Sequence, residues 1–290
     1  MMQSDKPHKV LLTGGSGFIG HNILPILKEE YDIYAPSRQE LDVLDEAAVE
    51  MLLKNNQFDV VVHAANPNAV KNPLDSDVNM VEGTLRCFMN FYRMREHFGK
   101  MIYLGSGAEL AKTRDMDDIS EDEFDRIVPT DEYGYAKYVI NNLVRSSDNI
   151  FNLRIFACYG PDDHKSKFIT HCIDSILDDE SEITIRKDCV FDYMHVNDLG
   201  QIIKYFIDGI TVKYHDYNVC SGEKHLLSDI ADMVRNEMGV DIPIRLISNE
   251  RNYNYTASNK RLIDAIGKYD FISLKDGIRM MIDDRKGDVR

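Results

Sequence analysis

Val10-Leu11-Leu12-Thr13-Gly14-Gly15-Ser16-Gly17-Phe18-Ile19-Gly20 joins an apolar run to four glycines within seven residues. Residues 8–13 read as a β-strand and residues 17–30, with apolar side chains at helical spacing, as an α-helix. The junction satisfies both G-x-G-x-x-G (Gly15, Gly17, Gly20) and G-x-x-G-x-x-G (Gly14, Gly17, Gly20). Glycine lets backbone approach a ligand closely. The helix behind it aims its first amides and the positive end of its dipole at an anion. A glycine pattern alone is weak. After a strand and at the start of a helix it predicts a pyrophosphate cradle, with Gly14, Ser16, Gly17, Phe18 and Ile19 around a dinucleotide.

Outward from this loop, strands alternate with helices. Strands are expected at 31–35, 59–63, 100–104 and 151–156, and helices at 45–55, within 73–97 and at 133–145. This alternation predicts an α/β fold, a doubly wound parallel sheet of Rossmann type. Strands covered on both faces explain unbroken runs such as Val60-Val61-Val62. After Tyr159-Gly160-Pro161 the rhythm loosens, with helices expected at 167–177, 198–208 and 227–238 and strands at 183–185 and 217–220. The expected organisation is a dinucleotide-binding domain over 1–160, a returning part near 192–222, and a smaller substrate-binding lobe over 161–290. Ligands of open parallel sheets sit beyond the strand C-termini, so the chemistry is expected there.

Composition narrows the function classes. The chain has 290 residues, 34 Lys and Arg against 49 Asp and Glu, and a net charge of −15. An acidic surface repels a polyphosphate backbone, which argues against nucleic-acid binding. No apolar run reaches the ~18 residues of a membrane span, and no apolar signal segment precedes Val10, so a cytoplasmic protein is expected. Cys87, Cys158, Cys172, Cys189 and Cys220 are scattered and form no C-x-x-C. They read as small buried thiols, with neither a disulfide framework nor a metal site. The acidic run Asp115, Asp117, Asp118, Glu121, Asp122, Glu123 and Asp125 reads as a solvated loop.

The end of the second strand bears on the cofactor. An NAD site places Asp or Glu there for the ribose hydroxyls. This chain has Ala35-Pro36-Ser37-Arg38. The Ser37 hydroxyl and Arg38 guanidinium suit a 2′-phosphate, so NADP is favoured, with NAD as the alternative. Tyr133 and Lys137 in Tyr133-Gly134-Tyr135-Ala136-Lys137 share one helix face. A phenol alone is a poor base at neutral pH, and a nearby ammonium lowers its pKa, so the pair is expected to act as a general acid/base. Ser106, in Leu104-Gly105-Ser106-Gly107-Ala108 just past the fourth strand, can donate to a substrate oxygen, and Gly107 can bring backbone close to it.

Together these residues resemble the extended short-chain dehydrogenase/reductases that act on nucleotide sugars. The resemblance rests on Thr13 to Gly20, His63-Ala64-Ala65, Ser106, the Tyr133/Lys137 pair, Leu153-Arg154, Tyr159-Gly160-Pro161 and the run from Asp192 to Asp198. It implies that Asp42-Val43 touch the adenine, that Ala64 and Ala65 line the cofactor, and that Lys137 also holds the nicotinamide ribose. The Ser37 to Asp42 stretch looks especially like the NADP-dependent 4-keto-sugar reductases, such as GDP-fucose synthase and dTDP-4-dehydrorhamnose reductase. A homodimer is implied, through the helix within 73–97 and the Tyr133 helix.

Three departures shape the expectation. Gly107-Ala108-Glu109 lacks the Asp of the Thr-Asp-Glu run of 4,6-dehydratases, which argues against dehydration. Ala108-Glu109 supplies no thiol of the kind GDP-fucose synthase uses for epimerisation. Phe191 stands where many members place an Arg for the nucleotide diphosphate, leaving Arg186 and Lys187 as candidates. Lys165, Lys167 and Phe168, at the start of the next helix, are further candidates for the substrate, whereas His195 reads as structural. The leading expectation is NADPH-dependent reduction of an NDP-4-keto-6-deoxyhexose, with Tyr133 as proton donor, Ser106 orienting the carbonyl and Lys137 tuning Tyr133. The alternatives are an NAD-retaining nucleotide-sugar 4-epimerase and a catalytically silent NADP-binding protein.

Overall fold

The structure, a computed structural model, describes residues 7–67, 77–209 and 213–288. Its main sheet has six strands in the order β10-β6-β4-β3-β1-β2. They are β1 (Lys9–Thr13), β2 (Asp32–Tyr34), β3 (Phe58–His63), β4 (Phe98–Ser106), β6 (Ile150–Ile155) and β10 (Asp216–Val219). Every pairing in this sheet is parallel. The order reverses between β1 and β3, so their C-terminal ends flank the crevice where such sheets bind ligands.

Burial on both faces follows from side-chain alternation. Val10, Leu12, Val60 and Val62 pack with Ile23 and Leu27 of α1 (Phe18–Lys28) and Leu199, Ile203 and Phe206 of α6 (Val196–Asp208). The intervening Leu11 and Val61, with Met101, pack on the opposite face. There they meet Val49 and Leu53 of α2 (Glu46–Asn55), Phe88 and Phe91 of α3 (Met80–Tyr92), and Ile140 and Val144 of α4 (Glu132–Arg145). At about 25 cal/mol per Å² of apolar surface, these two layers are the main source of stability.

A second sheet is formed by β5 (Met116–Ile119), β7 (Ala157–Tyr159), β9 (Val190–His195), β11 (Lys224–Leu226) and β13 (Tyr255–Ala257), in the order β11-β9-β13-β5 with β7 beside β9. A third core lies beyond it, built on α5 (Phe168–Leu177), β8 (Ile183–Ile185), α7 (Leu227–Met238) and α9 (Leu274–Asp288). The acidic run is not wholly a solvated loop. Met116 and Ile119 are buried while Asp117 and Asp118 face water, so two apolar anchors hold β5 in the sheet beside exposed carboxylates. Glu121 is buried as well and accepts the Asn218 backbone N–H at 2.8 Å. Of the span 73–97 expected to hold a helix, residues 73–76 lie outside the described part, and the observed helix is α3.

All five cysteines are free thiols. Among the described residues no helix is long and apolar enough to cross a membrane.

Candidate active site

The glycine loop has the shape its composition calls for. Gly14 has φ +72°, a left-handed conformation that glycine adopts without a Cβ penalty. Its carbonyl accepts the Gly17 N–H at 3.0 Å, and a Cβ on Gly20 would stand 2.1 Å from that oxygen. Gly17 is the N-cap of α1 and brings no side chain to bond the first-turn amides, and Ser16 and Gly17 are exposed. The loop therefore presents unspent N–H groups beyond β1, which fits a dinucleotide pyrophosphate.

The end of β3 closes against this loop. The Ala65 N–H donates to Thr13 Oγ1 at 3.3 Å, and Thr13 Oγ1 is 2.9 Å from Nδ1 of the buried His63. Burial lowers the His63 pKa to about 3, so its ring is neutral. At the end of β2, Glu40 accepts both the Ser37 N–H and the Ser37 hydroxyl at 2.8 Å. The Ser37 proton is thereby engaged by a carboxylate, and these two bonds pull the Glu40 pKa down. Asp42 and Val43 form the turn before α2, where Asp42 accepts the Leu44 N–H at 3.0 Å and the Val43 carbonyl accepts from Asn90 at 2.9 Å.

Ser106 ends β4 and caps the turn that follows, accepting the Ala108 N–H at 3.2 Å. The turn it opens packs against the first turn of α4, where a Cβ on Gly134 would stand 2.7 Å from the Ala108 carbonyl oxygen. Tyr133 sits in the first turn of α4, whose N-cap Asp131 accepts the Gly134 N–H at 2.9 Å. Burial raises the Tyr133 pKa, Ser106 opposes the rise, and Glu109 and Asp131 add to it. Lys137 lies one turn further on and is buried. Its ammonium donates to Tyr103 Oη at 2.6 Å and to the Leu104 carbonyl at 3.2 Å. It stands 5.6 Å from the Tyr133 ring centre. The helix spacing does bring the two side chains onto one face, but here the ammonium is spent on β4. Burial lowers the Lys137 pKa to about 8, with Glu109 the main opposing influence.

The His63 ring stacks on Tyr103 at 6.0 Å. Contacts therefore run from the glycine loop through Thr13, His63 and Tyr103 to Lys137, coupling the dinucleotide cradle to the Ser106/Tyr133 pair. A cradle at the sheet's reversal point beside Ser, Tyr and Lys is the arrangement of a nicotinamide-dependent oxidoreductase site.

Residues 10–220 match the NAD dependent epimerase/dehydratase family. The chain belongs to that family. It is an enzyme of the extended short-chain dehydrogenase/reductase type. It is 24% identical over 254 residues to GDP-L-colitose synthase of Yersinia pseudotuberculosis, covering 80% of this chain and 82% of that protein. It is also 24% identical over 280 residues to UDP-glucose 4-epimerase of Halalkalibacterium halodurans, covering 82% of each. Among solved structures, a GDP-6-OMe-4-keto-L-xylo-heptose reductase from C. jejuni superposes with a TM-score of 0.82, at 18% identity and 99% coverage of both chains.

Several residues of this epimerase/dehydratase-family site escape sequence reading. Tyr103, the partner of Lys137, is one more apolar position of a strand until the register of β4 is known. Glu109 is fully buried, bonded by Arg154 Nε at 2.5 Å and Asn152 Nδ2 at 3.0 Å, so its carboxylate is committed to the interior. Arg154, quoted only as part of a motif, also reaches Asp216 at 2.8 Å. Tyr255, far along the chain, brings its hydroxyl against Gly107.

The candidate substrate residues fall in separate places. Gly107 is buried, and a Cβ there would meet Tyr255 Oη at 2.5 Å and the Phe156 ring at 2.9 Å. Lys165 and Lys167 are exposed on the turn into α5, which begins at Phe168. That turn is tied to the cradle, because Asn22 of α1 donates to the Pro161 carbonyl at 3.0 Å. Arg186 and Lys187 follow β8. Lys187 pairs with Glu250 at 2.6 Å, and the Arg186 carbonyl accepts the Ser248 N–H at 3.1 Å. His195 is buried and caps α6 by accepting the Asn197 N–H at 3.2 Å, a structural role.

Proposed function

We propose that the protein reduces the 4-keto group of a nucleotide sugar of the NDP-4-keto-6-deoxyhexose class, with NADPH as reductant. The observation that carries this reading is the packing of the first turn of α4, which bears Tyr133 with Lys137 one turn on, against the turn that Ser106 opens at the end of β4, where a Cβ on Gly134 would stand 2.7 Å from the Ala108 carbonyl oxygen. A protonated phenol is a donor, as ketone reduction requires. A bound nicotinamide dinucleotide supplies the reducing equivalent. Gly14, Ser16, Gly17, Phe18 and Ile19 bind its phosphates, Ser37 and Arg38 the 2′-phosphate, Asp42 and Val43 the adenine, and Ala64 and Ala65 its inner edge. Ser106 orients the substrate oxygen, Tyr133 delivers a proton to it, and Lys137, steadied by Tyr103, holds the ribose and favours the phenolate left behind. Gly107, Lys165, Lys167, Phe168, Arg186 and Lys187 are assigned to the substrate side. A homodimer through α3 and α4 belongs to the same reading.

The second reading, an NAD-retaining 4-epimerase, draws on Glu40. Its carboxylate sits on Ser37, where it suits ribose hydroxyls and repels a 2′-phosphate. Cofactor handling separates the two. The reductase purifies free of tightly bound NAD and consumes NADPH in step with substrate, whereas co-purified NAD without net redox turnover supports the epimerase. Arg38→Ala is expected to weaken NADPH binding by ~10-fold or more and NADH binding by much less, as for loss of a charge-assisted hydrogen bond. Equal losses remove Arg38 from the phosphate site.

A further inference from the structure

Ser106, Tyr133 and Lys137 sit on two separate pieces of structure. Ser106 opens the turn Gly107–Leu110 at the end of β4, whereas Tyr133 and Lys137 ride on α4. Two polar rungs, one helical turn apart on α4, fasten that helix to the main sheet. Lys137 Nζ donates to Tyr103 Oη on β4 at 2.6 Å, and Asn152 Nδ2 on β6 donates to Asn141 Oδ1 at 2.9 Å. Tyr103 and Asn152 are register partners in the parallel pairing of β4 with β6, so their side chains leave the same face of the sheet. Asn141 and Asn152 are fully buried.

The Asn152 amide also reaches the turn that Ser106 opens. Its Nδ2 lies 3.0 Å from Glu109 Oε1 and 3.2 Å from Oε2. Gly105 makes the room, because a Cβ there would stand 2.0 Å from Asn152 Oδ1. A side-chain amide nitrogen has two protons. One serves the carboxylate of the serine's turn and the other serves α4. This orientation is fixed, since a flipped amide would set its oxygen against the Glu109 carboxylate. Asn152 Oδ1 is buried and, among the described residues, accepts no hydrogen bond. An unpaired interior acceptor is destabilising, and an aliphatic side chain would avoid it. What only the amide supplies at this position is a pair of donors aimed at two different elements. Arg154 Nε ties Glu109 to β6 at 2.5 Å, and Asn152 carries that tie on to α4.

We propose that Asn152 is a positioning residue: its side-chain amide brackets the Ser106 turn and α4 together, through Glu109 on one side and Asn141 on the other, and so sets Ser106 relative to Tyr133 and Lys137. This rests on the reading of those three residues as the reacting set.

The test is a double-mutant cycle of Asn152→Ala and Asn141→Ala in the full chain. Val234→Ala, a truncation in the separate core around α7, controls for plain destabilisation. All are compared at a temperature where circular dichroism shows them folded. The first readout needs no substrate: the 13Cζ resonance of Tyr133 in tyrosine-labelled protein, assigned with Tyr133→Phe. The second is kcat and KM for NADPH-dependent reduction of GDP-4-keto-6-deoxymannose, the probe. Each single substitution is expected to displace or split the Tyr133 resonance and to lower kcat by about 10–100-fold, with KM changed less than about twofold. The double variant loses no more than about twofold in kcat beyond Asn152→Ala. Val234→Ala leaves the resonance and kcat near wild type. Should Asn152→Ala not fold, Asn141→Ala, which leaves Glu109 bonded to both Asn152 and Arg154, decides the same two readouts alone. An unmoved Tyr133 resonance in the folded variants, losses that multiply in the double variant, or losses shared by Val234→Ala overturn the proposal. If the wild-type protein leaves the probe unreduced, the reductase reading fails on this probe, while the resonance cycle still decides the role of Asn152.

Discussion

The Tyr133 phenol holds its proton more tightly than in water, because desolvation raises its pKa, with Glu109 and Asp131 adding to the rise and Ser106 opposing it. Tyr133→Phe is therefore expected to lower the rate of ketone reduction by ~10²–10⁴ with substrate binding largely kept, as measured by steady-state kcat and KM. Lys137 behaves in the opposite sense, because burial makes its proton easier to lose, near pH about 8 against an ordinary 10.5. kcat/KM, which reports the free enzyme, is expected to fall as pH rises through about 8 while the ammonium is lost. Stability moves the other way. Between about 8 and 10.5 the unfolded chain binds a proton that the folded chain has released, so the Lys137 share of stability rises with pH across that window. Urea titrations of wild type and Lys137→Met at both ends of the window check this. The Ser106, Tyr133 and Lys137 trio is legible because helix periodicity and the end of a strand are local properties. The direction of the ammonium is not, since Tyr103 meets Lys137 only through the packing of α4 on β4.

At the scale of elements, the glycine loop is the part most completely written in local sequence. Four glycines leave the chain few other ways to join β1 to α1, and Gly20 is needed where a Cβ would press on the Gly14 carbonyl. Gly20→Ala is expected to push the loop out of shape at ~1–3 kcal/mol and to weaken NADPH binding by ~10-fold or more, measured by fluorescence titration. The main-sheet strands are legible because burial on both faces makes them continuous apolar runs. The short strands of the second sheet are not. β5 shows only Met116 and Ile119 around two aspartates, and β13 shows Tyr-Thr-Ala, and neither run displays a period. Their conformation is imposed by pairing with β9 and with each other, which is a tertiary matter. For that reason the phenol of Tyr255 could not be placed against Gly107 from sequence.

Across the whole molecule, a buried charge network ties the sheets together. Arg154 on β6 is fully buried between Glu109, after β4, and Asp216 on β10. Asp216 also meets Arg145 of α4 at 3.2 Å and Arg261 at 3.0 Å, and Arg261 lies 3.6 Å from Glu121 beyond β5. Burial raises the Glu109 pKa against the pull of Arg154, whereas the surrounding cations hold Asp216 low despite its burial. Removing one partner leaves an uncompensated interior charge, so Glu109→Ala is expected to cost ~3–5 kcal/mol in urea denaturation. Lys260→Ala, which breaks the exposed pair with Asp264, is expected to cost ~0.3–0.5 kcal/mol. Comparable losses at the two sites would mean that the network adds no more than a surface pair. The molecule so joined carries its chemistry where β1, β3 and β4 end, and the direct test is isotopic. Incubated with NADPH deuterated at the transferable position and GDP-4-keto-6-deoxymannose, the wild-type protein should yield a sugar one mass unit heavier at the former carbonyl carbon, and Tyr133→Phe should yield almost none. A sugar isomerised without deuterium, with NADPH unchanged, would contradict reduction at this site.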